Sequence, residues 1–234
     1  FQFIVEPQGV ARRADFWDGV VPLLLDLKSQ LGSAVLRVVV DAYFCKVPFL
    51  QPLTSVGIHV ITRMRKDAVT WDQRIESENK KSVKMAGEWK LARLVREFTP
   101  QKLAVKIYGK SVQVEAVERE VFIRGFQSQV KVVVVKGSKE PIIFLSSDLT
   151  LSATQIIEIY ATRFSIELAI RDLKQHFGLA HYQCYLGIAI DRFVHLACIA
   201  YCLFGLFQQQ QLKSDWMPPV SPNHSELSFS RLRR

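Results

Sequence analysis

Cysteine and histidine are too few and too scattered in this sequence to build a metal cluster or a disulfide scaffold. Cys45, Cys184, Cys198 and Cys202 include no close pair of the kind that zinc sites and small secreted frameworks use. A reducing cytosol fits that usage. His195, Cys198 and Cys202 alone fall within two helical turns, and free cysteine in an apolar run such as Phe193 to Phe207 reads as an ordinary buried hydrophobe. Negative charge is also in deficit. Asp and Glu number 22 against 31 Lys and Arg, which leaves +9 and a pI near 9.5 and favours a polyanionic partner. Residues 64 to 141 hold 17 basic and 10 acidic side chains, so most of the excess lies in that third. No uninterrupted membrane-length run is present: Leu186 to Phe207 is long enough but carries Asp191, Arg192 and His195, and reads as a core helix. A secretory leader pattern and internal repeats are both lacking. With 49% hydrophobic residues the chain is no disordered polymer, and can bury one core or one core plus an inserted module.

The pattern along the chain predicts an α/β layer. Phe1 to Val5 reads as a strand, and a chain that opens on Phe1 inside such a run is expected to be a fragment. Phe16, Val20, Leu23, Leu24, Leu27 and Leu31 give helical periodicity, ended by Gly32. Val35 to Val40 is a buried β-branched strand that stops at Asp41; Pro48 to Val56 reads as a short helix and His59 to Met64 as the next strand. Helix, strand, helix, strand in that order implies parallel strands joined by a crossover. From Arg65 the chain turns polar, then gives short strands (Leu103 to Tyr108, Val112 to Glu118, Val121 to Arg124, Val130 to Val135, Ile142 to Leu145) broken at glycines, the mark of antiparallel hairpins. Ser152 is placed to cap a long helix that runs to Phe177 and stops at Gly178; a second helix spans about Ile188 to Gln211, and a Pro-containing tail follows. The expected division is therefore 1–64 and 142–211 as core, 65–141 as a β-rich insertion and 212–234 as tail.

One helix carries the chemistry. At about 100° per residue, Tyr160, Arg163, Glu167 and Lys174 fall within an arc of about 60°, joined by Arg171, beside an apolar stripe of Ile159, Ile166, Ile170, Leu173 and Phe177. A carboxylate flanked by cations and a phenol suits metal and phosphate chemistry. Asp41 ends a buried strand, where open parallel sheets place their ligand crevice. Two carboxylates converging there would offer Mg²⁺ hard oxygen ligands.

The spacing Tyr160-x2-Arg163-x3-Glu167-x6-Lys174 resembles the Tyr-Arg-Glu-Lys motif of DDE transposases from bacterial insertion sequences. Val38-Val39-Val40-Asp41-Ala42-Tyr43 is similar to their second-aspartate strand, Val60-Ile61-Thr62-Arg63-Met64-Arg65 to the strand that follows, and Leu145-Ser146-Ser147-Asp148-Leu149 to the lead into their glutamate helix. The resemblance covers about Leu36 to Gln208. It implies an incomplete ribonuclease-H-like α/β core with a β-rich insertion before the glutamate helix. It implies two Mg²⁺ (or Mn²⁺) ions in the complete protein, held by carboxylates that include Asp41 and Glu167, and DNA phosphates positioned by Tyr160, Arg163, Lys174 and Arg171. The partners implied are DNA, as terminal inverted repeats and target, and a second copy of the chain, since such transposases generally act as dimers; no membrane and no small-molecule substrate are expected. A bacterial, cytoplasmic, nucleoid-associated protein follows from the same resemblance.

The family's first aspartate has no counterpart strand before Asp41; Asp15, Asp18 and Asp26 lie on the first predicted helix. The 234 residues alone are therefore expected to be inactive. Two readings stay open, a metal-dependent DNA-cleaving enzyme and a non-catalytic DNA-binding remnant or regulator. A third, a membrane anchor at 186–207, conflicts with the charges within that run. Trp71 or Trp89 could stack on an unpaired base or simply pack. Lys80, Lys81, Lys84, Lys90, Arg93 and Arg96 could follow a DNA backbone or form a solvated face.

Overall fold

A computed structural model describes residues 13–76, 83–138 and 140–213. The strand expected at Phe1 to Val5, the pair Lys80-Lys81 and the tail beyond Lys213 lie outside them. The described chain forms two compact units that meet in sequence at Arg163 and Phe164.

The first unit holds helices α1 (Arg13–Leu31), α2 (Val47–Ser55), α3 (Leu91–Glu97) and α4 (Ala153–Ala161), and strands β1 (Leu36–Val39), β2 (Ile58–Met64), β3 (Val69–Glu76), β4 (Val83–Lys90), β5 (Gln101–Ile107), β6 (Lys110–Val121), β7 (Val130–Val135) and β8 (Ile142–Ser146). Six strands make one sheet in the order β1-β2-β8-β7-β6-β5. β1 and β2 are parallel, Val39 opposite Ile61, because α2 carries the chain back between them. Every other pair in that sheet is antiparallel. The mixed α/β sheet and its parallel pair agree with the sequence pattern, and residues 65–141 contribute three strands to the same sheet as β1, β2 and β8.

Alternation along the strands buries both faces. Ile58, Val60 and Met64 of β2 meet Val132, Val134, Ile143 and Leu145 under α1, α2 and α3, where Phe49, Leu50, Leu53, Leu91 and Leu94 are fully enclosed. On the opposite face Ile61, Val133, Phe144, Val105 and Ala116 meet Leu151, Ala153, Ile156 and Ile157 of α4 and its lead. Cys45 sits half-buried against the first cluster, and that burial pushes its thiol up to about 11, as befits a packing residue rather than a nucleophile.

The polar stretch after Arg65 contains structure that weak periodicity concealed. β3 and β4 form a two-stranded hairpin, joined to the rest by the bridge Trp71 to Phe122. Trp89 Nε1 donates to Asp72 (2.6 Å), Arg119 also binds Asp72 (3.1 Å), and the Arg119 guanidinium rests against the adjoining rings of Trp89 and Phe98 at 4.8 and 4.6 Å. Gly87, at φ +70°, makes room for this: a Cβ there would stand 2.8 Å from the Asp72 carboxylate.

The expected single helix from Ser152 to Phe177 is two helices. Ser152 and Gln155 form the reciprocal capping box that starts α4. α4 ends where the Thr162 hydroxyl donates to the Ile159 carbonyl (2.7 Å), and Thr162–Phe164 is a 3-10 turn. The second unit begins there, with α5 (Ser165–His176) and α6 (Gly187–Lys213). Gly178, at φ +70°, closes α5, and Leu179 N–H returns to the Leu173 carbonyl. Phe177 then packs on Tyr201 and Phe204 of α6. The expected apolar stripe is only partly covered: Leu173 is buried, while Ile166 and Ile170 are exposed. α6 likewise departs from a core helix. It buries Val194 and Ala197 but exposes Leu196, Ile199, Leu203 and Leu206. Its stretch Gly187–Gln208 is long and apolar enough, by length and composition alone, to cross a bilayer, although Asp191 and Arg192 lie within it.

Candidate active site

Asp41 stands just beyond β1, at the carboxyl ends of the two parallel strands. The ladder's last bond runs from Val40 N–H to the Ile61 carbonyl (3.0 Å). The chain then turns away through a short 3-10 turn, Ala42–Phe44, which Asp41 caps: its Oδ1 accepts from Tyr43 N–H at 2.8 Å. Asp41 is exposed, and its Oδ2 has no hydrogen-bond partner among the described residues. One carboxylate oxygen is thus oriented by the backbone and the other is open. On the far side of the turn Lys46 Nζ lies over the Tyr43 ring at 4.5 Å.

Tyr160 comes to the same strand ends from α4. Its ring packs on Phe144 at 5.0 Å, and Phe144 pairs across the sheet with Arg63. Burial raises the phenol above its ordinary range, with the Asp41 charge adding to the effect and the Arg163 and Arg63 charges opposing it. Arg163 also hydrogen-bonds the phenol, and its guanidinium lies 6.0 Å from the ring. Asp41, Tyr160 and Arg163, three of the residues marked in the sequence, are therefore gathered within one unit. Arg63 joins them. Sequence reasoning placed it only within a strand block, yet its parity was available: two residues beyond Ile61, it faces the α4 side of the sheet.

Asp148 ties the opposite, amino end of β1 to the loop before α4. Its side chain is 3% exposed and its Oδ2 binds Arg37 of β1 (Nε 2.9 Å, Nη2 2.8 Å). Its Oδ1 accepts from the backbone and hydroxyl of Thr150. Burial pushes this carboxyl up, but the Thr150 and Arg37 bonds outweigh it and hold it below the usual carboxylate range.

Glu167, Arg171 and Lys174 belong to the second unit. All three are exposed along α5, at roughly 0°, 40° and 340° about its axis, and Arg171 contacts Asp172 at 3.6 Å. Of the four motif residues, Tyr160 thus lies on α4, Arg163 in the 3-10 turn, and Glu167 and Lys174 on α5, rather than all on one uninterrupted helix. Among the described residues no three His, Cys, Asp or Glu side chains gather as a metal-holding group, His195, Cys198 and Cys202 included. The donors that are present, carboxylate oxygens, are of the hard type that suits Mg²⁺ rather than zinc.

An acidic strand end on an α/β sheet, with a phenol and guanidinium groups beside it, offers the carboxylate and the donors that phosphate chemistry can use. Residues 16–203 match the family described as the transposase DDE domain. The chain belongs to that family, and the mixed α/β sheet is compatible with its ribonuclease-H-like fold. No curated protein matches the chain. Family membership makes DNA the substrate, transposition the process and divalent metal the usual helper.

Proposed function

We propose that this chain is the catalytic domain of a bacterial insertion-sequence transposase of the Tyr-Arg-Glu-Lys subgroup, a ribonuclease-H-like core whose residues 65–141 are an insertion that extends the sheet. The observation that supports this reading best is the convergence of Asp41, Tyr160 and Arg163 at the carboxyl ends of β1 and β2. Asp41 and Glu167 would be two of the carboxylates that hold Mg²⁺ or Mn²⁺. A bound metal would lower the pKa of the attacking water and draw charge from the phosphodiester.

The side chains have separate tasks. Asp41 presents an open oxygen. Tyr160, a phenol and so protonated at neutral pH, donates a hydrogen bond to a phosphate oxygen. Arg163 meets phosphate with a planar fork, Lys174 as a point charge, and Arg171 adds a second guanidinium. With the strand so held, water attacks phosphorus in line, the bond to the 3′ oxygen breaks, and the freed 3′-OH is the nucleophile for joining to target DNA. Terminal inverted repeats, a homodimer on paired ends and a cytoplasmic, nucleoid-associated setting belong to the same proposal.

Duplex DNA from the element's own ends tests it. The full-length protein should nick that DNA with Mg²⁺, and Asp41→Asn or Glu167→Gln should abolish nicking while leaving DNA binding intact. Cleavage that survives both substitutions would exclude this active site. A second reading is a DNA-binding regulator without catalysis. It predicts salt-sensitive binding that persists in Glu167→Ala, with no cleavage even in Mn²⁺.

A further inference from the structure

β2 presents Ile58, Val60, Thr62 and Met64 to the face covered by α1, α2 and α3. Three of these four are apolar and join the core cluster. Thr62 is equally enclosed, at 0% exposure, yet carries a hydroxyl. Valine has the same shape and would meet the packing demand without desolvating a polar group. The hydroxyl has one short bond, to the main-chain carbonyl of Asp41 at 2.7 Å; the Arg63 carbonyl lies farther off, at 3.3 Å.

The place of that bond gives it a task. Asp41 follows directly on the last ladder bond of β1, Val40 N–H to Ile61. Beyond it the chain is held mainly by bonds inside its own turn: Phe44 N–H to the Asp41 carbonyl (3.2 Å), Cys45 N–H to the Ala42 carbonyl (3.3 Å) and Tyr43 N–H to the Asp41 carboxylate (2.8 Å). Those bonds travel with the turn if it swings. The Thr62 bond does not, because it ties the Asp41 carbonyl to β2, a strand paired on both sides, and the Asp41 side chain is one bond from that anchored backbone.

We propose that Thr62 is a positioning residue, whose hydroxyl bond to the Asp41 carbonyl fixes the direction in which the Asp41 carboxylate faces a divalent cation. This rests on the reading of Asp41 as a metal ligand. Groups that orient a ligand from behind typically alter metal affinity by about 10- to 100-fold when removed.

The test compares wild-type chain with Thr62→Val, which keeps the shape and loses the donor, and Thr62→Ser, which keeps the donor. Mn²⁺ is titrated into each ¹⁵N-labelled protein, and paramagnetic broadening is read at the Tyr43 amide, which touches the Asp41 carboxylate. Wild type and Thr62→Ser should broaden over the same Mn²⁺ range, and Thr62→Val should need about 10-fold more or beyond. A hydroxyl with a merely structural part would lower the melting temperature of Thr62→Val and leave its Mn²⁺ titration unmoved, which overturns the proposal. Wild-type protein whose Tyr43 amide stays sharp while Mn²⁺ rises would overturn the metal reading of Asp41 and this inference with it.

Discussion

At the scale of single residues, the site depends on polar atoms whose partners are distant in sequence. Asp148 and Arg37 are 111 residues apart, and their ion pair pins β1 to the loop that launches α4. Because Asp148 titrates below its unfolded value of about 3.9, its contribution to stability is complete above that value and fades as pH falls through the lower native one. Asp148→Asn should therefore cost about 2 kcal/mol at pH 7, where a charge-assisted bond is removed and Arg37 is left facing an amide. The gap from wild type should shrink below about pH 4 as the native carboxyl protonates. Urea unfolding at both pH values measures it; an equal gap at each would mean that the charge does not matter. The place of Asp41 just beyond a strand end was legible because a β-branched run ends on it. The roles of Asp148 and Thr62 were not, since a lone Asp or Thr beside a strand carries no periodic signal and its partner lies on another strand. Trp89 resolves likewise: its indole N–H and one ring face are engaged by Asp72 and Arg119, partners 17 and 30 positions away, which favours packing over base stacking.

Among elements, the ones with strong periodicity were readable. β1, α2, β2 and α6 fall within a residue or two of their expected limits. The break between α4 and α5 was hidden because the apolar spacing continues through it, and only the Thr162 hydroxyl bond marks the stop. β3, β4 and α3 were hidden by their charges. α3 shows why the charged stretch is ordered: Leu91 and Leu94 are fully enclosed, while Lys90, Arg93 and Arg96 are exposed along its outer side. No ion pair engages these three among the described residues. They are three residues apart, roughly 5–6 Å between neighbours, on the sheet face opposite α4. If they follow a DNA backbone, changing all three to Gln should reduce the slope of log K against log salt by about 2 to 3, near 0.9 for each phosphate that is no longer neutralised. An unchanged slope would assign them to a solvated face. The helix itself should persist, because its inward leucines are untouched.

For the molecule as a whole, two surface properties oppose each other. Net charge of +9 favours solubility and draws the chain to polyanions. Against it, α6 exposes Leu196 (66%), Leu203 (61%) and Leu206 (58%) along one side, the kind of apolar row that promotes association. Leu196→Glu with Leu203→Glu should lower the fluorescence of a bound apolar dye and raise the concentration at which the protein stays monodisperse, with circular dichroism unchanged; dye binding as strong as before would show that the accessible apolar surface lies elsewhere. The order of the sheet has a further consequence. β1 is its terminal rib, four residues long and hydrogen-bonded along a single flank among the described residues, and it is the rib from which Asp41 projects. Amide hydrogens near Asp41 should thus exchange with solvent long before those of β7, which is flanked on both sides. Asp41 hangs from the part of the scaffold that frays first, so whatever steadies that margin also steadies the carboxylate that we propose as a metal ligand.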